Sequence, residues 1–413
     1  MTRNKIYWES LGAEAQYSIF KPEGKNGECH VIMHVEPRHD LFAGQYERLR
    51  KAENLLMQQE ELKCCKPVMK RYFLSDATNQ APLLEKSPSK DADIKCSSNG
   101  DKEKQEGDSK YLSIGNLEAP EGAYAVSNIQ QPPLNGSKIG LWIYLVDDAE
   151  VSGENGAVVV RHNGYEHIWK MGMMTNIGNS YEQTASLLKD YEDMLGKFDA
   201  NIADHCIRTW FYVRDVDIQY HGLVKARREN FIENGLTPDT HYISSTGIAG
   251  VPSDPKAIIQ LGAYAIKGLQ PDQQHYLYAL SHLNKTIEYG VTFERGTIVN
   301  YGDRDHAYIS GTASIDNKGQ VVHIGDVVKQ TERMWENVGK LLEEGGMTMD
   351  DIMQIIVYLR DSADYAIVKE MFEEKFPDTP FIITLAPVCR PTWLIEMECI
   401  AIKAQSNDRY KDF

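Results

Sequence analysis

The chain of 413 residues repeats one sequence pattern three times, in residues 45–76, 183–215 and 330–361. In each copy, apolar residues recur four and seven or eight positions apart, as on one face of a helix. The apolar run that follows each helical pattern predicts a strand, and a second helical pattern follows the last two copies. Three copies of one unit predict three similar domains around a pseudo-threefold axis, with ligand pockets at their mutual interfaces.

Each repeat also closes with an apolar strand, so the predicted order is two strands, a helix, a strand, a second helix and a closing strand. This order gives a mixed sheet with two helices on one face, an α+β fold. We predict three tandem domains, residues 1–148, 149–270 and 271–413, that form a pseudo-trimer within one chain. Residues 85–110 contain no aromatic residue and many Lys, Ser, Asp and Glu, which predicts a mobile insertion in the first domain.

Composition limits the class of partner. The formal net charge of −16 disfavours nucleic acid and anionic membranes but still allows a local basic pocket for a small dianion. No apolar run approaches the ~20 residues of a membrane span, and the start of the chain lacks the apolar segment of a signal peptide. With seven scattered cysteines, we expect a reduced, cytoplasmic protein. No phosphate loop or metal-ligand spacing is present, so we expect no metal and no cofactor.

The three repeats differ at the position that carries Glu396 in the last closing strand. That position is Gln260 in the second repeat and Gly140 in the first. The small residues of segment 310–314 are likewise replaced by bulkier ones in segment 170–174. We therefore predict one working interface site, built on the third repeat, and two degenerate ones.

Glu396 is the first candidate for chemistry. Glu396 and Glu398 lie on one face of an alternating strand in otherwise apolar sequence. Their mutual repulsion and their burial are expected to raise the pKa, which suits a general acid at neutral pH. The alternative is that one carboxylate forms an ordinary ion pair while the other is solvated.

Other candidates precede the closing strand. The thiol of Cys389, beside Arg390, could be partly activated, or could be a small buried residue. Arg295 could bind a substrate carboxylate through both of its outer nitrogens, or could pair with Glu294. Three residues of the second repeat could face the same cleft or could be structural: Arg208, Tyr212 and Arg228.

Three segments of the third repeat resemble the Rid (YjgF/endoribonuclease L-PSP) superfamily: 310–315 (SGTASI), 323–327 (HIGDV) and 395–398 (IEME). The resemblance implies domains of the chorismate-mutase-like β-α-β sandwich type, with ligand clefts between the members of a trimer. Imine deaminases of the superfamily carry an arginine before the closing-strand glutamate. This chain has Phe-Ile-Ile at 381–383 in that neighbourhood, which argues against deamination.

The chorismatase branch is a closer resemblance and covers roughly residues 155–404. The segments that carry it are 208–212 (RTWFY) with Arg228, 246–248 (TGI), 289–295 (YGVTFER) and 388–390 (VCR). The pair Cys389 and Glu396 resembles that of the subgroup that makes 3-hydroxybenzoate. The resemblance implies that Glu396 protonates the enolpyruvyl group of chorismate, that Cys389 shapes the pocket and that no cofactor is needed. It also implies a set of substrate-binding residues: Arg295, Gly311, Thr312, Arg208, Tyr212 and Arg228.

The preferred hypothesis is a chorismatase-like enzyme that converts chorismate to pyruvate and 3-hydroxybenzoate, or to pyruvate and a dihydrodiol. One alternative is a Rid-type deaminase of enamines or imines. A second is a protein that binds small carboxylates without catalysis. In each case the partner is a small molecule, and the intramolecular trimer is compatible with a monomer in solution.

Overall fold

The computed structural model describes residues 1–85, 117–119 and 122–413. The insertion predicted at 85–110 lies, apart from its first residue, outside the described residues. In the first third of the chain the elements are β1 (Thr2–Trp8), β2 (Ala13–Phe20), β3 (Glu28–Val35), α1 (Phe42–Leu56), β4 (Lys66–Leu74), α2 (Ala77–Glu85), β5 (Leu117–Ala119), β6 (Gly122–Gln130) and β7 (Ile139–Val146). They form a sheet of order β1-β2-β3-β7-β4-β6.

The middle of the chain builds a second sheet of order β12-β11-β14-β10-β9-β8. Its elements are β8 (Glu150–Glu154), β9 (Ala157–His162), β10 (Tyr165–Met174), α3 (Ser180–Gly196), α4 (Ile202–His205), β11 (Cys206–Val213), α5 (Val216–Glu233), β12 (Ser244–Ala249), β13 (Val251–Pro252) and β14 (Ile259–Lys267). The short strand β13 pairs with β6 and so extends the first sheet.

The last third builds a sheet of order β15-β16-β17-β20-β18-β19. Its elements are β15 (Gln274–Leu277), β16 (Gly296–Asn300), β17 (Arg304–Ala313), α6 (Val327–Glu344), β18 (Ile352–Leu359), α7 (Tyr365–Lys375), β19 (Phe381–Leu385) and β20 (Ile395–Ala404). Strands β18 and β19 are parallel, whereas β20 runs antiparallel to both β17 and β18.

The predicted fold class is confirmed: the chain is α+β and consists of three tandem units, each with its own sheet. The three sequence repeats coincide with α1–β4, α3–β11 and α6–β18. The exact domain boundaries stay a prediction. Each unit has at least two more strands than we predicted: a third leading strand, and a strand between the second helix and the closing strand (β6, β12 and β19). The leading strands β8 and β15 are short and only partly buried, and they carry no apolar pattern.

The sheets pack against one another through faces that carry large aromatic side chains. Trp142 of β7, Trp169 of β10 and Trp210 of β11 belong to one buried cluster that also includes residues of the third sheet. The ring centroids of Trp142 and Trp210 lie 6.3 Å apart, and those of Trp169 and Trp210 lie 6.5 Å apart. In the described part of the chain, no helix combines the length and the apolar character that crossing a membrane requires.

Candidate active site

A cleft lies where the second unit meets the third, and we call it the inner pocket. Strand β12 runs beside the segment that precedes β16, with the N–H of Glu294 donating to the carbonyl of Ile243 at 3.1 Å. The pocket holds about 470 Å³ of empty space, part of it open to solvent. The second unit contributes Tyr220, Arg227, Ser245 and Gly247. The third contributes, among others, Tyr289, Phe293, Arg295, Gly311, Cys389, Arg390, Trp393 and Glu396.

Glu396 is the carboxyl group of this pocket. Strand β20 places it beside Ala313 of β17 and Tyr358 of β18, and only 4% of the residue is exposed. Its carboxyl makes no hydrogen bond to a described residue. Burial, and next the nearby charge of Glu398, raise the pKa of Glu396 to about 8, although Arg295 and Arg208 act in the opposite direction. Glu396 is therefore largely protonated at neutral pH, as a general acid must be.

Gly311 leaves the space that the Glu396 carboxyl occupies. A Cβ atom on Gly311 would lie 2.1 Å from Glu396 Oε1 and 2.9 Å from its Cδ. The pairing of β17 with β20 shifts register between Ile309 and Thr312, which is the mark of a β-bulge. The N–H of Gly311 donates to Thr246 Oγ1 at 2.9 Å, and this bond ties the bulge to the second unit. We expected Gly311 to leave space for a ligand. The structure shows that it leaves space for the carboxyl of Glu396.

Two buried arginines line the pocket. Arg295 donates from Nε and Nη2 to Asn284, at 3.2 to 3.4 Å. Arg227 donates from Nη1 to Ser245 Oγ at 3.3 Å, but its Nε and Nη2 have no hydrogen-bond partner. Among the described residues, no carboxylate lies within ion-pair distance of either guanidinium. Unpaired buried cations are costly, so this pair is suited to an anionic ligand.

Sequence reasoning missed Arg227 and named its neighbour Arg228. A signal was present, because Arg227 follows Leu223 and precedes Phe231 at intervals of four on the buried face of α5. Arg228 instead lines a wider groove outside the pocket and donates to the carbonyl of Gly290. Thr312 is buried, donates to the carbonyl of Ser310 at 2.9 Å, and is not part of the pocket wall.

The expected position of Arg208 and Tyr212 in the cleft is corrected by the structure. Arg208 Nη2 lies 2.8 Å from Glu398 Oε2, in the interior where the three sheets meet. The ring of Tyr212 lies under the guanidinium of Arg71, with 5.3 Å between Arg71 Cζ and the ring centroid. For Arg208, Glu398 supplies the negative charge that we expected from a ligand.

Cys389 lies in the pocket wall as predicted, but its thiol is not activated. Burial, and next the charge of Glu396, raise the pKa of Cys389 to about 12, whereas a hydrogen bond with Tyr220 and the charge of Arg390 lower it only in part. The guanidinium of Arg390 lies over the rings of Tyr289 and Trp393, at 5.6 and 5.7 Å from their centroids. A neutral thiol is a poor nucleophile.

The equivalent positions at the other two interfaces hold no acid. Gln260 donates to Ser127 Oγ at 3.0 Å between the first and second units. At Gly140 a side chain is excluded, because an added Cβ would lie 2.6 Å from Ile382 Cδ1. The cleft between the third and first units is large, about 960 Å³. Both of its lysines are already paired with carboxylates of the same cleft, Lys5 with Glu14 at 2.9 Å and Lys369 with Glu373 at 2.5 Å.

Comparison with known proteins agrees with this architecture. The family model described as Endoribonuclease L-PSP matches residues 298–403, which span most of the third sheet. A RutC family protein of Pyrococcus abyssi is 35% identical over 98 residues, 23% of this chain and 77% of that protein. The 3-aminoacrylate deaminase RutC of Acinetobacter baylyi is 31% identical over 97 residues, 23% of this chain and 76% of that enzyme.

Among solved structures, a chorismatase resembles the chain over most of its length. The TM-score is 0.58 at 15% sequence identity, and the match covers 81% of this chain and 92% of the chorismatase. At this identity the likeness concerns the fold alone.

The fold and the pocket together define a three-unit α+β protein with a buried carboxylic acid at one interdomain cleft. The chain belongs to the endoribonuclease L-PSP (Rid) family, as its sequence motifs predicted, and its fold is that of a chorismatase.

Proposed function

We propose that the protein is a chorismatase-like enzyme that releases pyruvate from chorismate or a closely related enolpyruvyl ether. The observation that carries the proposal is the inner pocket itself. It sets the protonated carboxyl of Glu396 in one cleft with Arg227 and Arg295, two arginines that no described carboxylate neutralises. Chorismate carries two carboxylates and one acid-labile enol ether, so it needs two cations and one proton donor.

The chemistry follows from these groups. Glu396 gives its proton to the terminal methylene carbon of the enolpyruvyl group and so forms an oxocarbenium ion. Pyruvate then leaves in one of two ways: the neighbouring ring hydroxyl attacks the ring carbon while the bond from that carbon to the ether oxygen breaks, or water adds to the oxocarbenium carbon and the hemiketal collapses. In each case a proton returns to the Glu396 carboxylate. The two arginines hold the carboxylates and keep the methylene carbon close to Glu396. If the ring then aromatises, the products are pyruvate and 3-hydroxybenzoate, which together contain all the atoms of chorismate. If water adds, the products are pyruvate and a dihydrodiol. Neither route uses a metal or a redox cofactor.

A Rid-type deaminase is the second candidate, favoured by the 31% identity to 3-aminoacrylate deaminase RutC. An enamine also accepts a proton on carbon, so Glu396 would serve both reactions. The position of the deaminase arginine argues against this function. Phe381 and Ile383 of β19 line the cleft between the third and first units. The equivalent strand at the inner pocket, β12, presents Ser245 and Gly247, and neither position is an arginine.

The test is to incubate the purified protein with chorismate, to assay pyruvate, and to separate the ring products by chromatography. We expect the wild type to release pyruvate and one ring product in equal amounts. Glu396→Gln should unfold at a similar temperature but react at least about 100-fold more slowly, because it has no proton to give. Glu374→Gln, an exposed residue of α7, controls for the same chemical change.

Three outcomes separate the candidates. An unchanged rate in Glu396→Gln would remove the assigned acid. Ammonia release from 3-aminoacrylate without action on chorismate would favour the deaminase. Thermal stabilisation by chorismate or 3-hydroxybenzoate without any product would favour a carboxylate-binding protein that has no activity. A small-molecule partner, a monomeric state and a cytoplasmic location are parts of the same proposal.

A further inference from the structure

Outside the inner pocket lies a second space, which we call the outer groove. It runs along α5 and holds about 1130 Å³ of empty space, much of it open to solvent. The outer groove and the inner pocket share five wall residues: Tyr220, Tyr289, Val291, Cys389 and Arg390. Because the two spaces have this wall in common, the groove directly adjoins the inner pocket.

The acidic side chains of the groove are already paired. Asp217 accepts two hydrogen bonds from Arg360, at 2.9 and 3.1 Å. Glu229 accepts a hydrogen bond from the hydroxyl of Tyr181 at 2.5 Å and lies 4.0 Å from Lys225. These carboxylates therefore contribute little negative potential to the groove.

The two arginines of the groove are not paired in this way. Arg228 donates from Nη2 to the carbonyl of Gly290, and its Nε is buried without a hydrogen-bond partner. Arg390 is exposed, and Nη2 makes one long hydrogen bond of 3.5 Å to the carbonyl of Tyr289. No carboxylate in the described part of the chain lies within ion-pair distance of Arg228 or Arg390. The inner pocket and outer groove thus contain four arginines without a carboxylate partner: Arg227, Arg228, Arg295 and Arg390.

This local excess of positive charge contrasts with the formal net charge of −16. A protein with that charge repels a small dianion in solution. A cleft lined by one sign of charge concentrates the field and can raise association rates by roughly 10- to 1000-fold. Chorismate needs only two cations, and the inner pocket already supplies them, so the outer pair requires a different explanation.

We propose that the outer groove is an entry site for small dicarboxylates. Arg228 and Arg390 bind the carboxylates of the incoming molecule first, and the molecule then moves inward to Arg227 and Arg295. The proposal rests on the proposed function in one respect, since it takes the inner pocket to be the final binding site. It requires no bond to form or break.

The test measures association without turnover, using isophthalate, an unreactive ring with two carboxylates. Stopped-flow fluorescence follows binding, because Trp393 lines the inner pocket and lies against Arg390. For the wild type, the association rate should fall steeply as salt is added. In the double variant Arg228→Gln/Arg390→Gln, this association rate should be about tenfold lower at low salt and nearly independent of salt.

Two further variants control the experiment. Arg38→Gln/Arg409→Gln removes the same charge from arginines that pair with Glu36 and Asp272 elsewhere on the surface, and should keep the wild-type rate. Arg228→Lys/Arg390→Lys keeps the charge and should keep most of the rate, which separates steering from misfolding. Three results would each overturn the proposal. They are equal association rates in the Gln and control variants, an effect of the Gln variant that is confined to the dissociation rate, and a wild type that does not bind isophthalate. Because nothing is turned over, a failure with chorismate as substrate is a separate result.

Discussion

The thiol of Cys389 and the carboxyl of Glu396 share the wall of the inner pocket. The charge of Glu396 helps to raise the pKa of the thiol, so Cys389 stays neutral. In the proposed reaction, a neutral thiol next to the ring would exclude water by its volume. This role is consistent with the resemblance to the subgroup that makes 3-hydroxybenzoate.

We therefore expect Cys389→Ala to keep releasing pyruvate while more of the ring product becomes the dihydrodiol, because the smaller side chain admits water. Chromatography of the ring products at equal pyruvate release measures the ratio. The exposed Cys64→Ala is the control. A product ratio identical to that of the wild type would show that Cys389 does not select the product.

At the scale of residues, sequence could predict Glu396, Arg295, Gly311 and Cys389 as neighbours of one pocket, because all four lie in or near the segments that carry the family resemblance. It could not predict that Arg208 would pair with Glu398, a residue 190 positions later. Whether an arginine pairs with a ligand or with a carboxylate of the protein depends on how the domains pack, and no local sequence pattern indicates that packing.

Among the elements, the bulged strand β17 does most to define the pocket. Its register shift places Gly311 against the Glu396 carboxyl and against Thr246 of β12. Sequence could predict that this strand is rich in small residues but not that it is bulged, since a bulge depends on how two strands pair. The short, partly exposed leading strands β8 and β15 were not predicted, because they carry no apolar alternation.

We expect Gly311→Ala to displace the carboxyl of Glu396 and to lower turnover by at least about 100-fold, the loss typical of a misplaced acid. The cost in unfolding free energy should be smaller, about 1 to 3 kcal/mol, because the clash is with the end of a side chain. Activity assays and chemical denaturation measure the two effects. Gly196→Ala, whose added Cβ meets nothing within 4 Å, should leave activity intact. A fully active Gly311→Ala would contradict the role given to the bulge.

On the scale of the whole molecule, the three units meet at one buried ion cluster. Glu398 of the third unit accepts hydrogen bonds from Trp210 and Arg208 of the second, both at 2.8 Å. Arg71 of the first unit approaches Glu398 at 3.6 Å, but its three guanidinium nitrogens have no hydrogen-bond partner in the described structure. Glu398 in turn raises the pKa of Glu396. The first unit thus contributes, through Arg71, to the surroundings of Glu398 and of the acid.

We expect Glu398→Gln to lower the free energy of unfolding by about 3 to 5 kcal/mol, because it leaves two buried arginines without a charge partner. Arg71→Met should cost much less, since the Arg208–Glu398 pair remains and Arg71 has no hydrogen bonds to lose. Denaturant titration of both variants measures the difference. Equal losses would mean that Arg71 is as important to the cluster as Glu398 is.

The proposed function depends most directly on the protonation of Glu396 at neutral pH. Infrared difference spectra of the wild type minus Glu396→Gln, recorded from acidic to alkaline pH, isolate the carbonyl stretch of this one carboxyl group. If Glu396 is the acid, the band of the protonated carboxyl should persist through neutrality and disappear with a midpoint near pH 8. A band that disappears near pH 4.5, the ordinary value for glutamate, would contradict it.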